Sequence, residues 1–562
     1  MVEETTENDN DTQVIPKEER ESSPEKQNIQ PGSDTGTNPS DNVPETERTK
    51  LQTAIIMASL CSSVFLAALD QTIVSTALPT ISQRFQSGAA YTWVGSAYVL
   101  ATASTTPSWG KVSDIWGRKP IILLAVSIFF IGSLLCAISV NIAMLIAARA
   151  IQGVGGGGIL LLVNIVIGDL FSLRSRGQYY GMVGMIWAFA SAIGPILGGV
   201  FTEKVSWRWC FYLNLPITGA VFVLLVLFLK LDNPKTPLWE GLRAVDWLGS
   251  IAITGGTVML LLGLQFGGVT YPWGSVKVIC LIVFGCVLFG LFALGERIVR
   301  YPLIPHRIFN KSNVAVFGTC FCHGYIFIAA TYFLPLYFQA VLGATPILSG
   351  VYFLAFTLSL SFVGGFGGFL IKATGKYLLL IRGSWVLAIV GFGLFTDLDP
   401  SANWAKIFIF QIIAGAGVGA NFQAPLIPLQ SHVARGDIAA ATATFAFIRN
   451  LSVSISIVVG GVVFQNQALK RSSSVPSVSQ GQGLNAFAII DIIQRLEPAQ
   501  QRLLREIFTD SLRTMWIMYA CFAGLGLIFS LFIASKVLNE KHEATTLGLA
   551  AEEAKRVKKH KT

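Results

Sequence analysis

Residues 110–139 read GKVSDIWGRKPIILLAVSIFFIGSLLCAIS. A knot of charge (Lys111, Asp114, Arg118, Lys119) gives way to a run from Ile121 to Ile138 that carries no Asp, Glu, Lys, Arg or His. As helix, at ~1.5 Å per residue, such a run is long enough to cross a hydrocarbon layer of about 30 Å. The same test, carried outward in both directions, finds fourteen apolar segments. They begin near Thr53, Thr92, Pro120, Ile142, Tyr180, Cys210, Trp247, Val276, Asn313, Leu348, Leu379, Trp404, Ala441 and Leu512. The expected fold is therefore all-α and polytopic, with fourteen transmembrane helices.

Composition agrees. Of 562 residues, 52% are hydrophobic and 13% charged, about half the charge of an ordinary soluble chain. The first 50 residues differ from the rest: thirteen Asp/Glu against five Lys/Arg, with almost no large apolar side chains, so they read as a disordered acidic tail. The remaining residues then carry +17. A soluble enzyme, a disordered scaffold and a secreted disulfide domain are excluded. All eight cysteines fall in apolar stretches, where they read as small packing residues. No segment has the form of a cleaved signal peptide.

An even number of spans puts both tails on one side. The inter-span segments on that side hold sixteen Lys/Arg and the short loops opposite hold five (Arg84, Lys204, Arg208, Lys277, Lys406), so the tails are expected in the cytoplasm. The chain divides into an acidic tail (1–50), a first six-span bundle (51–230), two additional spans with linkers (231–312), a second six-span bundle (313–536) that includes an outer segment at 467–511, and a basic tail (537–562). In the outer segment Phe487, Ile489, Ile490 and Ile493, then Leu503, Leu504, Ile507 and Phe508 recur at helical spacing on either side of Pro498. They suggest short amphipathic helices lying in the interface.

Ionisable residues at membrane depth are costly and mark function by default. Asp70 is the only carboxylate well inside a span, and Arg149 reaches a similar depth. Desolvation favours the neutral carboxyl and a nearby cation favours the charged one, so the pair reads either as a proton site or as a static packing contact. His323 is either a hydrogen-bonded core histidine or a relay. Arg449 either meets an anionic group of a substrate or bonds backbone carbonyls. With Gln339 and Asn421, these two residues are the candidates for a substrate cavity.

Gly153, Gly155 and Gly158 spell GxGxxG, but inside an apolar span, where close helix packing is the better account than dinucleotide binding. Gly415, Gly417 and Gly419 form a similar small-residue face. No GxxxxGK[ST], HExxH, GxSxG or CxxC occurs, so neither an ATP-driven pump nor an enzyme is expected. The segment Gly368–Lys376 repeats the Gly-x6-Gly-cation pattern of Gly110–Arg118, with Lys372 in the place of Asp114. The chain is thus an internal repeat whose halves flank two extra spans.

These motifs resemble those of the major facilitator superfamily. GKVSDIWGRKP is similar to its signature loop, and Leu69-Asp70-Gln71-Thr72-Ile73-Val74-Ser75-Thr76-Ala77-Leu78-Pro79 to the first-span motif of its fourteen-span drug:proton antiporters. Arg149-Ala-Ile-Gln152-Gly153 resembles the fourth-span motif and Gly194-Pro195-Ile-Leu-Gly198-Gly199 the antiporter motif. Trp207–Asn214 and Tyr332–Gln339 extend the likeness, whose flavour is that of fungal multidrug and mycotoxin efflux carriers. The resemblance implies two six-helix bundles rocking about a central cavity, with Asp70, Arg149 and Gln152 in proton coupling. It makes Gly110, Asp114, Gly117 and Arg118 a latch holding one bundle against the other, and has Gly194, Pro195, Gly198 and Gly199 shape a bent, closely packed span. The expected activity is proton-coupled efflux of bulky amphipathic organic compounds from a monomer in the plasma membrane, or in a vacuolar or vesicle membrane. No cofactor, metal or nucleic acid is implied; the proton gradient supplies the energy. A uniporter or importer, of siderophores or into the vacuole, and a non-transporting receptor would share the fold.

Overall fold

The computed structural model describes residues 49–86, 88–231, 234, 236–268, 270–472, 497–538 and 548. The acidic tail, most of the basic tail and Phe487 to Ile493 lie outside the described residues. The helices are α1 (Lys50–Phe85), α2 (Gly88–Trp116), α3 (Arg118–Ala137), α4 (Ile142–Leu170), α5 (Leu173–Lys204), α6 (Trp209–Tyr212) running into α7 (Asn214–Phe228), and α8 (Leu238–Ala244). They continue as α9 (Trp247–Phe266), α10 (Val276–Gly295), α11 (Lys311–Ala340), α12 (Pro346–Thr374), α13 (Leu378–Leu394), α14 (Trp404–Gly419), α15 (Leu426–Ser431), α16 (Ile438–Ser472) and α17 (Pro498–Leu531). No β-strand occurs among the described residues beyond one isolated bridge, Gly267 with Tyr271.

Helix starts follow capping chemistry. Side chains of Asn141, Asp246, Asn310 and Asn403 accept the N–H of the third residue onward at 2.8, 2.8, 2.8 and 3.3 Å, meeting one orphan donor at each start. Among the described residues, thirteen helices are long and apolar enough to cross a membrane. The fourteenth, α2, has 29 residues, about 43 Å of helix, but its middle reads Thr102-Ala-Ser-Thr-Thr-Pro-Ser. Its hydroxyls are paired within the protein: Thr105 donates to the Ala101 carbonyl (2.7 Å), Thr106 to Thr102 (2.6 Å) and Thr102 to Gly153 of α4 (2.9 Å). A hydroxyl bonded this way adds little cost in lipid, so α2 completes the fourteen.

The last helix departs from expectation. Pro498 does not break an interfacial helix; it occupies the first turn of α17, where its missing N–H is no loss. Leu504, Ile507 and Phe508 are buried on that continuous helix, with Phe508 5.6 Å from Phe464 of α16.

α1–α7 pack as one group and α11–α17 as another, with α9 and α10 paired and set against α2. There Thr254 donates to the Ser104 carbonyl (3.1 Å) and Gln265 to Ser96 (2.7 Å). Glycines set the spacing. A Cβ on Gly153 would stand 2.3 Å from the Tyr98 carbonyl of α2, and one on Gly155 2.4 Å from the Phe129 nitrogen of α3, so α4 is wedged between two backbones. Gly415 and Gly417 do the same for α14 against α12 and α13. Gly117 (φ 93°) and Gly375 (φ 69°), at matching positions of the repeated loops, both turn in the left-handed region that a side chain would strain.

The halves meet on the face that carries the ends of α1 and α17, here called the tail face. A Cβ on Gly368 of α12 would lie 2.2 Å from the Gly177 carbonyl of α5, and one on Gly181 2.9 Å from that of Gly364. Between them remains a cavity of about 10 Å³, lined by Gly177, Gly181, Gly184, Gly364, Gly368 and Gln423 among others; it has room for a single water. The tail face is closed. Gly368→Leu is expected to force α5 and α12 apart at a cost of ~1–3 kcal/mol, read as a lower Tm of the purified protein. An unchanged Tm would contradict the contact.

Candidate functional site

Four helices converge on Asp70. Its carboxylate, fully buried in α1, forms an ion pair with Arg149 of α4, which is 1% exposed. The other carboxylate oxygen accepts from Gln152 Nε2 at 2.8 Å and from Asn214 Nδ2 of α7 at 3.0 Å. Gln152 also donates to Ser133 of α3 (2.8 Å). Asp70, Arg149 and Gln152 are thus brought together as the sequence predicts. The sequence gives no role to Ser133, and marks Asn214 only as the last residue of the Trp207–Asn214 motif.

Arg149 has partners apart from Asp70. Nη1 donates to Gln152 Oε1 (2.6 Å), Nε donates to the Val94 carbonyl (3.0 Å), and the guanidinium lies 4.6 Å from the Tyr98 ring centroid. It can therefore stay hydrogen-bonded when Asp70 is neutral. One turn along α1, α5 presses close: a Cβ on Gly194 would be 2.0 Å from Thr72 Oγ1 and one on Gly198 2.0 Å from the Ile73 carbonyl. Gly199 faces open space, and Pro195 sits within the helix. The antiporter-like glycines are what let α5 touch the helix of Asp70.

The charges Asp114 and Arg118 of the signature loop are paired at the ends of α2 and α4. Arg118, 1% exposed, pairs with Asp114 (2.7 Å) and Asp169 (2.8 Å) and donates to Ser113 (2.8 Å), all within the first half. A buried guanidinium takes the nearest carboxylates, and the ends of α2 and α4 supply both, so Arg118 is matched within its own half. Gly110 does reach across, for a Cβ on it would stand 2.8 Å from that of Ala443 in α16. The polar clasp between halves lies on α5 instead. Arg176 Nη1 and Tyr180 OH both donate to Gln430 Oε1 (3.1 and 2.9 Å), Arg174 Nε donates to the Lys372 carbonyl (2.9 Å) and Lys372 Nζ to Gln178 (2.6 Å). Lys372, the departure from the repeat, thus serves as a contact in its own right.

The four cavity candidates separate. His323 is buried, with Nε2 3.2 Å from the Val418 carbonyl and its ring parallel to Phe327 at 6.2 Å. Arg449 Nη1 donates to the Phe422 carbonyl (3.0 Å) and its guanidinium lies 4.9 and 5.2 Å from the Phe422 and Phe445 rings. Phe422 also stands edge-on to His323 at 5.6 Å, so these two candidates share one aromatic wall. Asn421 turns away to the Ile381 carbonyl (3.4 Å). Gln339 meets Ser349 (3.4 Å) at the far end of α11, sixteen residues or about 24 Å of helix from His323, because it lies four turns further along the same element.

The comparisons with known proteins agree with this architecture. The model of the Major Facilitator Superfamily matches residues 60–457. The chain is 52% identical to "Efflux pump dotC" of Dothistroma septosporum over 89% of its own length and 87% of that protein's. It is 50% identical to "MFS-type transporter ppz2" of Metarhizium majus (91% and 90%), and 36% to "Efflux pump FUS6" of Gibberella moniliformis (91% and 93%). Two solved structures share its fold at 14% identity: the proton:xylose symporter XylE (TM-score 0.55, 91% of this chain and 100% of that one) and the human organic anion transporter MFSD10 (0.54, 86% and 99%). Twelve spans in two packed groups with a further pair beside them, a signature loop at Gly110–Pro120 and a match across most of the length make this chain a multi-pass membrane transporter of the major facilitator superfamily.

Proposed function

We propose that the chain exports bulky amphipathic organic compounds across the plasma membrane in exchange for protons, with both tails in the cytoplasm. The observation that carries the reading is the Asp70 site: a carboxylate sealed at membrane depth, matched by one cation that has other partners to fall back on. In the cycle proposed, a proton replaces Arg149 as the partner of Asp70, and Arg149 is held by Gln152 and the Val94 carbonyl until the proton leaves. Outward transport is supported by relatives named as efflux pumps, and the orientation by the cationic bias of the tail-side loops. No cofactor takes part, and the chain acts as a monomer.

α5 links the proton site to the gate. Its 32 residues, about 48 Å of helix, touch α1 beside Asp70 through Gly194 and Gly198 and close the tail face through Arg174, Arg176 and Tyr180. Rocking that opens the tail face shifts this helix, and with it the packing around Asp70. One entering proton gains ~2.3 kcal/mol per 100 mV and ~1.4 kcal/mol per pH unit, enough to concentrate a substrate many-fold.

Asp70→Asn is expected to cut pH-gradient-driven dye uptake into inverted vesicles by ~100-fold, or ~2.7 kcal/mol, while gradient-free dye exchange persists. Uptake with unchanged rate and pH dependence would favour a uniporter instead. Asp114→Asn removes one of the two carboxylates of Arg118 and should slow turnover about tenfold, ~1.4 kcal/mol on the rocking step, at unchanged membrane abundance. Normal turnover would remove the latch from the mechanism.

A further inference from the structure

We propose that the cargo is a flat aromatic organic anion whose ionised group is held by Arg449 at the seam between the halves. This rests on the export reading above and names the substrate class of that same transporter.

Arg449 lies eleven residues into α16 from Ile438, about 17 Å along the helix and so near the middle of the membrane. Two sealed arginines of the first half are matched by carboxylates, Arg149 by Asp70 and Arg118 by Asp114 and Asp169, while the buried Arg176 is held by Gln430 and the Phe171 carbonyl. Arg449 has no carboxylate partner among the described residues. Its contacts are one carbonyl, that of Phe422, and the faces of Phe422 and Phe445. A guanidinium offers five N–H donors, so most of its capacity is left for something else. It is half-buried rather than sealed, which leaves it open to a ligand. An unmatched cation at this depth is costly, and an arriving anion would remove the cost.

The surroundings give the shape of that anion. Trp187 of α5, from the first half, approaches Phe327 and Phe422 of the second at 5.3 and 5.1 Å. His323 stacks on Phe327 and stands edge-on to Phe422. The next residue on α16, Asn450, donates to Thr106 of α2 at 3.5 Å, so this turn of α16 faces the other half. Ring faces from both halves therefore meet beside the guanidinium. Flat rings with a carboxylate or phenolate fit this wall by stacking and by charge-assisted hydrogen bonding. A cationic drug fits the stacking and is repelled by the charge.

The test measures binding to the purified full-length protein without any gradient, so that charge selectivity is read apart from proton coupling. The probes are a planar tricyclic aromatic carboxylic acid, its methyl ester and an amine-bearing analogue, followed by quenching of tryptophan fluorescence. The acid should bind about tenfold or more tighter than the ester, and the amine weakest. In Arg449→Gln the acid-to-ester ratio should fall to about one, and Arg449→Lys, which keeps the charge but not the fork, should restore part of it. Equal binding of acid and ester by the wild type, tighter binding of the amine, no binding of the acid, or a ratio that survives Arg449→Gln would each overturn the proposal. None of these results touches the coupling role of Asp70, which the vesicle experiment reads separately.

Discussion

Hydrocarbon gives no solvation to charge, and the Asp70–Arg149 pair is where this protein meets that constraint head-on. A lone charge at the bilayer centre costs at least ~2.5 kcal/mol on the mildest scale, and leaving one partner of a buried pair uncompensated costs ~3–5 kcal/mol. The surrounding structure is arranged to hold both charges without water. Gln152 bridges them, Asn214 and Gln152 saturate the second carboxylate oxygen, and the Val94 carbonyl and Tyr98 ring hold the guanidinium. These contacts come from α1, α2, α4 and α7, with Ser133 of α3 behind Gln152, so the pair ties together the first half of the molecule.

Close approach of backbones is the second device. Where lipid is as apolar as the side chains, helix association depends on packing rather than on escape from water, and small residues let it become tight. Gly153 and Gly155 build the first half, Gly415 and Gly417 the second, and Gly177, Gly181, Gly364 and Gly368 the seam between them. The seam combines close backbone contacts of α5 with α12, a polar clasp at Gln430 and the aromatic contacts of Trp187 with Phe327 and Phe422.

Much of this was legible in the sequence, and what was not has physical reasons. Span starts could be read because apolar runs end at capping residues, as at Asn141 and Asp246, and because charge outside the spans collects in the loops. Asp70, Arg149 and Gln152 stood out because ionisable or amide groups in an apolar run are rare. Ser133 did not, since a contact partner on another helix leaves no mark in local sequence, and Asn214 closes the Trp207–Asn214 motif without any sign of what it touches. α17 was read fourteen residues short because Pro498 terminates a helix from one side and opens one from the other, and the letter does not say which. The second carboxylate of Arg118 was hidden for a related reason: Asp169 is fifty-one residues away in the chain and adjacent in space. Gln339 shares a helix with His323, but depth along that helix, not residue type, decides which of them packs beside Phe327 and Phe422.

The central claim is that Asp70 exchanges the cation Arg149 for a proton and that this exchange opposes cargo binding. Infrared difference spectroscopy of the purified protein reads it directly through the C=O stretch of a protonated carboxyl. The account predicts a carboxylic-acid band that grows on acidification, is missing in Asp70→Asn, and disappears from the wild type when a transported dye is added. A band that persists in Asp70→Asn, or one indifferent to the dye, would contradict it.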